Sequence, residues 1–247
     1  MARKITFQQA INEALSDIFG ESVDQTDGLG PDTSGDRWLI GEDLTGIGAI
    51  RDMADPGAFG HPDSMDSPFW DDDPHETDSG GVHSNSGVAD KAFFLMVDGT
   101  PDGTTVPPFD ADAATSLDQA AAVWYLAASQ LLTTASDHAD LGDALQIACD
   151  QLAGVANGVK DTDGAVTTPI DAVDDCGASG TVRRAIEWTR MPLEMTNSMR
   201  ASPTPSAGSC HQRKAAPGLA RFSITWVSVS GRAVTSSISA SYEAMPS

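Results

Sequence analysis

Apolar residues recur at helical spacing along most of this chain, and this pattern constrains the fold more than any other feature. The first such stretch contains Ile11, Leu15 and Ile18, spaced i, i+4 and i+7, so that they share one face of a helix. Gly20 follows at the position where that helix is expected to end. Comparable stretches are residues 84–98, 116–131, 141–152 and 181–191. Successive amphipathic helices joined by loops predict a mainly α fold, a helical bundle.

Local signals predict how some of these helices begin and end. Asn85 or Ser86 is expected to cap the second helix, because both side chains accept hydrogen bonds from free backbone N–H groups. Ser116 opens a sequence that has the form of a capping box. Residues 46–55 are expected to form a short helix, because Pro56 follows them and proline is common just after a helix end.

The composition changes near residue 197, which predicts two parts of the chain. Residues 1–197 are expected to form the helical domain, and residues 198–247 a Ser-rich tail. Apolar residues alternate within the tail, so one or two strands are predicted there. A hairpin isolated from other elements is only marginally stable in water. The tail is therefore expected to be disordered or weakly β.

The charge of the chain is strongly acidic and excludes two classes of partner. The sequence has 36 acidic and 14 basic residues, a formal net charge of −22. Such a surface repels nucleic acids and anionic membranes, so neither is expected as a partner. No apolar run approaches the roughly 20 residues that span a bilayer. The first residues lack the apolar segment of a signal peptide, so none is predicted in this chain.

Three cysteines are too few for a disulfide scaffold. Cys149 and Cys176 lie in one helical region and could pair in a secreted protein, which would leave Cys210 over. Three free thiols are an equally open alternative. The absence of any C-x-x-C sequence argues against a zinc site built from cysteines.

Carboxylates are placed where they could hold metal ions. Glu13 and Asp17 are four residues apart, so they share a second face of the first helix. Residues 21–45 are polar and turn-rich, and they contain several carboxylates, among them Asp24 and Glu42. Clustered oxygen ligands suit a hard cation such as calcium, although the spacing is not that of an EF-hand. A solvated acidic loop is the competing interpretation.

Four segments, in this order along the chain, resemble the C-terminal helical domain of the thermolysin-like neutral zinc metallopeptidases. One alone would be weak evidence, whereas four in order make a specific signal. The likeness covers roughly residues 8–195. The matching segments are Ala10–Gly20, Trp38–Asp43, Arg51–Pro56 and Gly80–Gly87.

The resemblance implies a zinc-dependent peptidase in which this domain provides part of the metal site. Glu13 lies at the position of the third zinc ligand, after the two histidines of an H-E-x-x-H helix. Asp17 matches the carboxylate outside the ligand set that orients a zinc-binding histidine. Asp24 and Glu42 lie where the family places calcium ligands, while Leu39 stands where an acidic residue is often found.

The same resemblance implies roles in substrate binding and proton transfer. His83 resembles the histidine that stabilises the oxyanion of the tetrahedral intermediate and passes a proton. Asp78 matches the carboxylate that holds that imidazole. Arg51 matches the guanidinium that binds a backbone carbonyl of a peptide or protein substrate, and Ile50 is expected to line an apolar side-chain pocket.

The chain departs from the family in the residues that precede Glu13. No H-E-x-x-H occurs anywhere in the sequence, so one of three expected zinc ligands is present and the general base is missing. The family's assisting tyrosine would fall near Lys4. The sequence therefore predicts the C-terminal half of a secreted zinc metalloendopeptidase, inactive alone and in need of an N-terminal catalytic half. The alternative is a non-catalytic acidic helical module that acts by binding.

Overall fold

The described residues form five α-helices and little strand, which confirms the predicted mainly α fold. The computed structural model describes residues 2–30, 33–71, 73, 78–153 and 169–191, together with the strands at 224–227 and 233–236. The α-helices are α1 (Ala2–Asp27), α2 (Gly87–Val97), α3 (Ala113–Leu126), α4 (His138–Leu152) and α5 (Thr181–Trp188). The strands pair as two antiparallel ribbons, β1 (Leu39–Ile40) with β2 (Arg51–Asp52), and β3 (Ile224–Val227) with β4 (Ala233–Ser236).

Helix α2 lies at the centre of the bundle, in contact with α1, α3 and α5. Its sequence is apolar on nearly all sides, as expected of a helix surrounded by others. Within the helical stretch predicted at residues 84–98, Val88, Ala92, Leu95 and Met96 lie at helical spacing and are buried. Aromatic pairs in edge-to-face contact, such as Phe93 with Trp124, complete the core. The core thus encloses α2 along most of its length.

The first helix is longer than predicted, because Gly20 does not end it. Helix α1 continues to Asp27, and the residue after it, Gly28, adopts the left-handed conformation (φ +69°) that commonly ends helices. Glu21 is buried, and the side-chain amide of Gln25 donates to the backbone oxygen of Arg37 at 2.6 Å. Tertiary contacts of this kind outweigh the low helix propensity of a single glycine.

The helix predicted over residues 46–55 is wrong. Gly46 and Gly48 both have positive φ angles (84° and 72°), so the backbone turns there. The chain then forms β2, and the N–H of Ile50 donates to the backbone oxygen of Ile40 at 2.8 Å. Pro56 begins a short 3-10 helix, Pro56–Phe59, instead of following a helix end.

The capping box predicted at Ser116 is also wrong. Helix α3 begins earlier, and its N-cap is Asp112, whose side chain accepts a hydrogen bond from the N–H of Thr115. Ser116 lies buried inside the helix and donates to the backbone oxygen of Val97 at 2.7 Å. Ser86 does occupy the N-cap position of α2, but its hydroxyl donates to the backbone oxygen of His83 instead of capping the helix.

The C-terminal part of the described bundle is cross-linked. Cys149 on α4 and Cys176 form a disulfide, which settles the alternative that the sequence left open for this pair. Cys210 lies outside the described residues. Helix α5 ends at Trp188, short of the predicted Met191. The β3–β4 ribbon supports the weakly β alternative for the tail, whose other residues lie outside the described part of the chain.

Candidate active site

Glu13 and Asp17 of α1 have different surroundings although they are one helical turn apart. The Asp17 side chain is only 6% exposed, whereas that of Glu13 is 34% exposed. Both side chains lie on the face of α1 that faces β2 and the turn before α2. Asp17 binds Arg51 of β2, and Glu13 approaches His83 of that turn. The pairing of β1 with β2 and the packing of α1 on α2 therefore bring three separate segments together.

Arg51 of β2 binds both carboxylate oxygens of Asp17. Its Nε lies 2.7 Å from Oδ2 and its Nη2 donates to Oδ1 at 3.0 Å. The pair therefore combines one charge-assisted hydrogen bond, from Nη2, with one short charge contact, from Nε. Burial alone would lower the pKa of Arg51, but the bonds and charge of Asp17 outweigh that effect and raise it. The guanidinium is thus a fixed positive charge at the floor of the site.

A third charged group, Asp90 of α2, belongs to the same cluster. Its side chain is 2% exposed, and its Oδ1 is a buried oxygen without a hydrogen-bond partner. Burial raises the pKa of Asp90 well above its ordinary value, the charge of Asp17 adds to the rise, and Arg51 opposes it. Burial also raises the pKa of Asp17 against the effect of Arg51. Two carboxylates therefore share one guanidinium inside the protein.

His83 and Asp78 form a hydrogen-bonded pair at the turn that leads into α2. His83 Nδ1 lies 2.6 Å from Asp78 Oδ1, and the backbone N–H groups of His83 and Ser84 both donate to Asp78 Oδ2. Partial burial would raise the pKa of Asp78, but these hydrogen bonds outweigh burial and hold the pKa below its usual value. Because an ionised carboxylate only accepts hydrogen bonds, the proton lies on Nδ1 and leaves Nε2 facing outward.

Glu13 and His83 face each other, with Glu13 Oε1 3.9 Å from His83 Nε2. The described residues contain no group of three or more His, Cys, Asp or Glu side chains that could hold a metal ion. A catalytic zinc needs three protein ligands and an open position. The residues in this part of the chain therefore do not form a zinc site by themselves, and Glu13 as a ligand stays a prediction.

The remaining sequence-predicted residues surround this cluster. Ile50 directly precedes Arg51 and is 42% exposed, close to the exposed Leu44. Asp24 and Glu42 line one cavity of about 450 Å³, which lies between α1 and the loop after β1 and also reaches Asp17. Calcium binding by these two carboxylates stays a prediction, since the structure brings them to one cavity without forming a complete ligand set among the described residues.

Two residues near the site were missed by sequence reasoning. Asp90 carried a signal, because it is a carboxylate inside an apolar helical stretch, where a charge needs a partner. His61 carried none, because it lies in an irregular loop. Its ring is half-buried, and burial together with the positive charge of Arg51 lowers its pKa, so it stays neutral beside the guanidinium.

Comparison with known proteins identifies relatives of this chain. Residues 8–169 match the family described as thermolysin metallopeptidase, alpha-helical domain. Over 166 residues the chain is 41% identical to a zinc metalloproteinase of Renibacterium salmoninarum, covering 65% of this chain and 28% of that protein. It is 35% identical over 147 residues to a bacillolysin of Bacillus cereus, with coverage of 57% and 23%. It is also 38% identical over 122 residues to a thermolysin of Alicyclobacillus acidocaldarius, with coverage of 47% and 21%.

The chain therefore spans between a fifth and a third of the length of these relatives. The matched region includes every residue of the cluster described above, from Glu13 to Asp90. It also includes the whole of α2, α3 and α4, and α1 from Gln8 onwards, so the match covers most of the bundle. The chain belongs to the thermolysin metallopeptidase family, and residues 8–169 form its alpha-helical domain.

Proposed function

We propose that this chain forms one side of the active site of a zinc-dependent endopeptidase that hydrolyses peptide bonds. The observation that supports this most directly is the convergence of Glu13, His83 and Arg51, from three separate segments, on one face of the domain. A carboxylate, an imidazole and a guanidinium placed together suit a substrate whose carbonyl oxygen gains negative charge during the reaction. Family membership supports the same reaction class.

Two residues are assigned to the substrate carbonyls. His83 is 62% exposed, its Nδ1 is held by Asp78, and its outward Nε2 can donate to the oxyanion and pass a proton once the ring is protonated. The contacts from Arg51 to Asp17 use Nε and Nη2, so we assign Nη1 to a backbone carbonyl of the substrate. Ile50 is the apolar neighbour that contacts a substrate side chain.

We further propose that the chain by itself does not hydrolyse peptides. The sequence has no H-E-x-x-H, and the described residues do not form a zinc site. A second segment, from the same or another polypeptide, would have to provide two further zinc ligands and the general base. Export into an oxidising compartment is part of the proposal, supported by the Cys149–Cys176 disulfide.

The described residues contain no helix that is both long and apolar enough to cross a membrane.

A non-catalytic role as an acidic binding module is the second candidate. It is favoured by the cavity of about 450 Å³, whose lining includes six carboxylates. Such a cavity suits a cationic peptide. The lining carboxylates are those of Asp17, Glu21, Asp24, Asp27, Glu42 and Asp43.

The test combines the purified chain with the segment of the Renibacterium zinc metalloproteinase that lies outside its match to this chain. Alone, the chain should bind no stoichiometric zinc and leave casein intact. With the added segment, zinc-dependent hydrolysis should appear, and His83→Ala should lower kcat by about 100-fold or more, the effect typical of losing an oxyanion donor.

Arg184→Ala is the matched control, because Arg184 binds backbone oxygens of Thr104 and Thr105 away from the cluster. It should leave kcat unchanged. Zinc-dependent hydrolysis by the chain alone would refute the proposed incompleteness. Hydrolysis by the combination that is insensitive to His83→Ala would refute the assigned site. Binding of a basic peptide without any hydrolysis would favour the second candidate.

A further inference from the structure

Asn85 connects two points of the loop that precedes α2. Its side chain is 1% exposed, and its Nδ2 donates to the backbone oxygens of Asp71 at 2.5 Å and Gly80 at 3.3 Å. Its Oδ1 accepts the backbone N–H of Asp71 at 3.2 Å. The amide therefore pairs with both backbone groups of Asp71 while it binds Gly80. None of these bonds caps α2, so the predicted capping role does not explain why an asparagine lies here.

Gly81 shows how closely the loop packs on this amide. A Cβ atom at position 81 would lie 2.4 Å from Asn85 Nδ2, a distance that real contacts do not reach, and the backbone there has φ +76°. The N–H of Asn85 also donates to the backbone oxygen of Gly81 at 2.8 Å. Backbone and side chain of Asn85 thus hold the two consecutive glycines from both sides.

The held glycines lie between the two members of the candidate proton-transfer pair. Gly80 is two residues after Asp78 and Gly81 two residues before His83. The imidazole is 62% exposed, so little packing orients it, and its shortest polar contact is the 2.6 Å bond to Asp78. The direction of that bond therefore depends on the shape of the turn, which Asn85 fixes.

We propose that Asn85 is a positioning residue that orients the His83–Asp78 pair through the Gly80–Gly81 turn. The functional meaning of this inference rests on the proposed peptidase role of His83. Its physical content does not, because the orientation of the imidazole can be measured without zinc, substrate or hydrolysis. Without the amide, the turn can relax, and Asp78 no longer selects the imidazole tautomer with the proton on Nδ1.

The experiment measures that tautomer in the full chain by ¹⁵N NMR of the His83 ring at a pH where histidine side chains are neutral. The variants are Asn85→Ala, which removes the amide, and Asn85→Asp, which keeps its size but replaces the Nδ2 donor with an oxygen. In both we expect the ratio of the Nδ1–H to the Nε2–H tautomer to fall about fivefold or more, as expected for weakening one hydrogen bond.

Gln146→Ala is the matched control, because Gln146 is also a buried amide that donates to a backbone oxygen, that of Cys176 at 2.7 Å. It should lower the melting temperature while leaving the His83 tautomer ratio unchanged. Spectra are recorded below the melting transition of the least stable variant. If both Asn85 variants lower stability but keep the wild-type ratio, Asn85 has only a structural role and the inference is wrong.

Discussion

Arg51 and Asp17 form an ion pair between β2 and α1, with two N–O contacts of 2.7 and 3.0 Å. The pair is nearly excluded from water, since the side chains are 15% and 6% exposed. Removing one partner of a buried pair leaves the other charge without compensation, which costs far more than the loss of an exposed pair. Asp90 increases this effect because it places a second buried carboxyl beside the same guanidinium.

We therefore expect Arg51→Ala to lower the free energy of unfolding by about 3 kcal/mol at neutral pH. The loss should shrink in acid, because protonation of Asp17 removes the uncompensated charge. Urea unfolding at pH 5 and pH 8 measures both effects.

The exposed pair of Arg190 and Asp66, with an N–O distance of 2.9 Å and exposures of 66% and 61%, provides the control. Asp66→Ala should change the free energy of unfolding by about 0.5 kcal/mol or less. Equal losses in Arg51→Ala and Asp66→Ala would contradict the assignment of Arg51–Asp17 as a buried pair.

Asp78 offers a direct measurement of the His83 contact. Hydrogen bonds from the His83 ring and from two backbone N–H groups lower the pKa of Asp78 despite partial burial. His83→Ala removes the ring but keeps the backbone donors, so the pKa of Asp78 should rise from its lowered value. Carboxyl ¹³C NMR over the acid range measures this.

Asp112 is the control within the same spectra, since its pKa is lowered by the backbone and side chain of Thr115, which His83→Ala does not touch. A titration of Asp78 that is identical in both proteins would show that the ring does not bind the carboxylate in solution.

The helices could be predicted from sequence wherever apolar residues at helical spacing marked the side that packs into the core. Val88, Ala92 and Leu95 lie at helical spacing, and burial follows from that spacing. Helix ends were less predictable because they depend on partners distant in sequence. Gly20 lies within α1 because contacts beyond it, such as Gln25 with the backbone of Arg37, hold the next turns in helical form.

Residues 46–55 were mistaken for a helix because their composition does not show that Leu39 and Ile40 would pair with them. Pairing between strands is a property of two segments, and a local pattern cannot report it.

The candidate site was predictable only through the family resemblance. Periodicity placed Glu13 and Asp17 on one face of a helix, but nothing local brought Arg51 or His83 to them. Asp90 and Asn85 are buried at positions that follow from the packing of α1 and α2 and from the shape of one turn. Sequence rules predicted that Asn85 caps a helix, because they describe the preference of asparagine for helix ends. They do not identify the particular backbone oxygens, those of Asp71 and Gly80, to which Asn85 donates.

Asp175 makes stability depend on pH. Burial raises its pKa to about 6, with repulsion from Asp171 and Asp174 adding to the rise. The folded protein therefore binds this proton more tightly than the unfolded chain, so the stabilisation is complete below about pH 4 and is lost as pH rises through about 6. Asp175→Asn keeps an oxygen for the N–H of Asp171 and should raise the free energy of unfolding by about 1–2 kcal/mol at pH 8.

The Asp175→Asn variant is compared with wild type by urea unfolding at pH 4 and pH 8. The difference between the two proteins should be small at pH 4 and large at pH 8. Asp43→Asn, at an exposed carboxylate, controls for the loss of one negative charge from an acidic chain. A gain of the same size at both pH values, or in Asp43→Asn, would contradict the role given to Asp175.

The disulfide between Cys149 and Cys176 should be the largest single covalent contribution to stability. It joins residues 27 apart and both cysteines are buried, at the contact between α4 and the segment before α5. Closing a loop of this length restricts the unfolded chain, and the expected stabilisation is about 3–4 kcal/mol. Cys149→Ala with Cys176→Ala should therefore lower the urea midpoint strongly, and reduction of the wild-type protein should have the same effect. Thiol titration of the denatured protein checks the pairing independently, because three reactive thiols without prior reduction would show that the bond is absent.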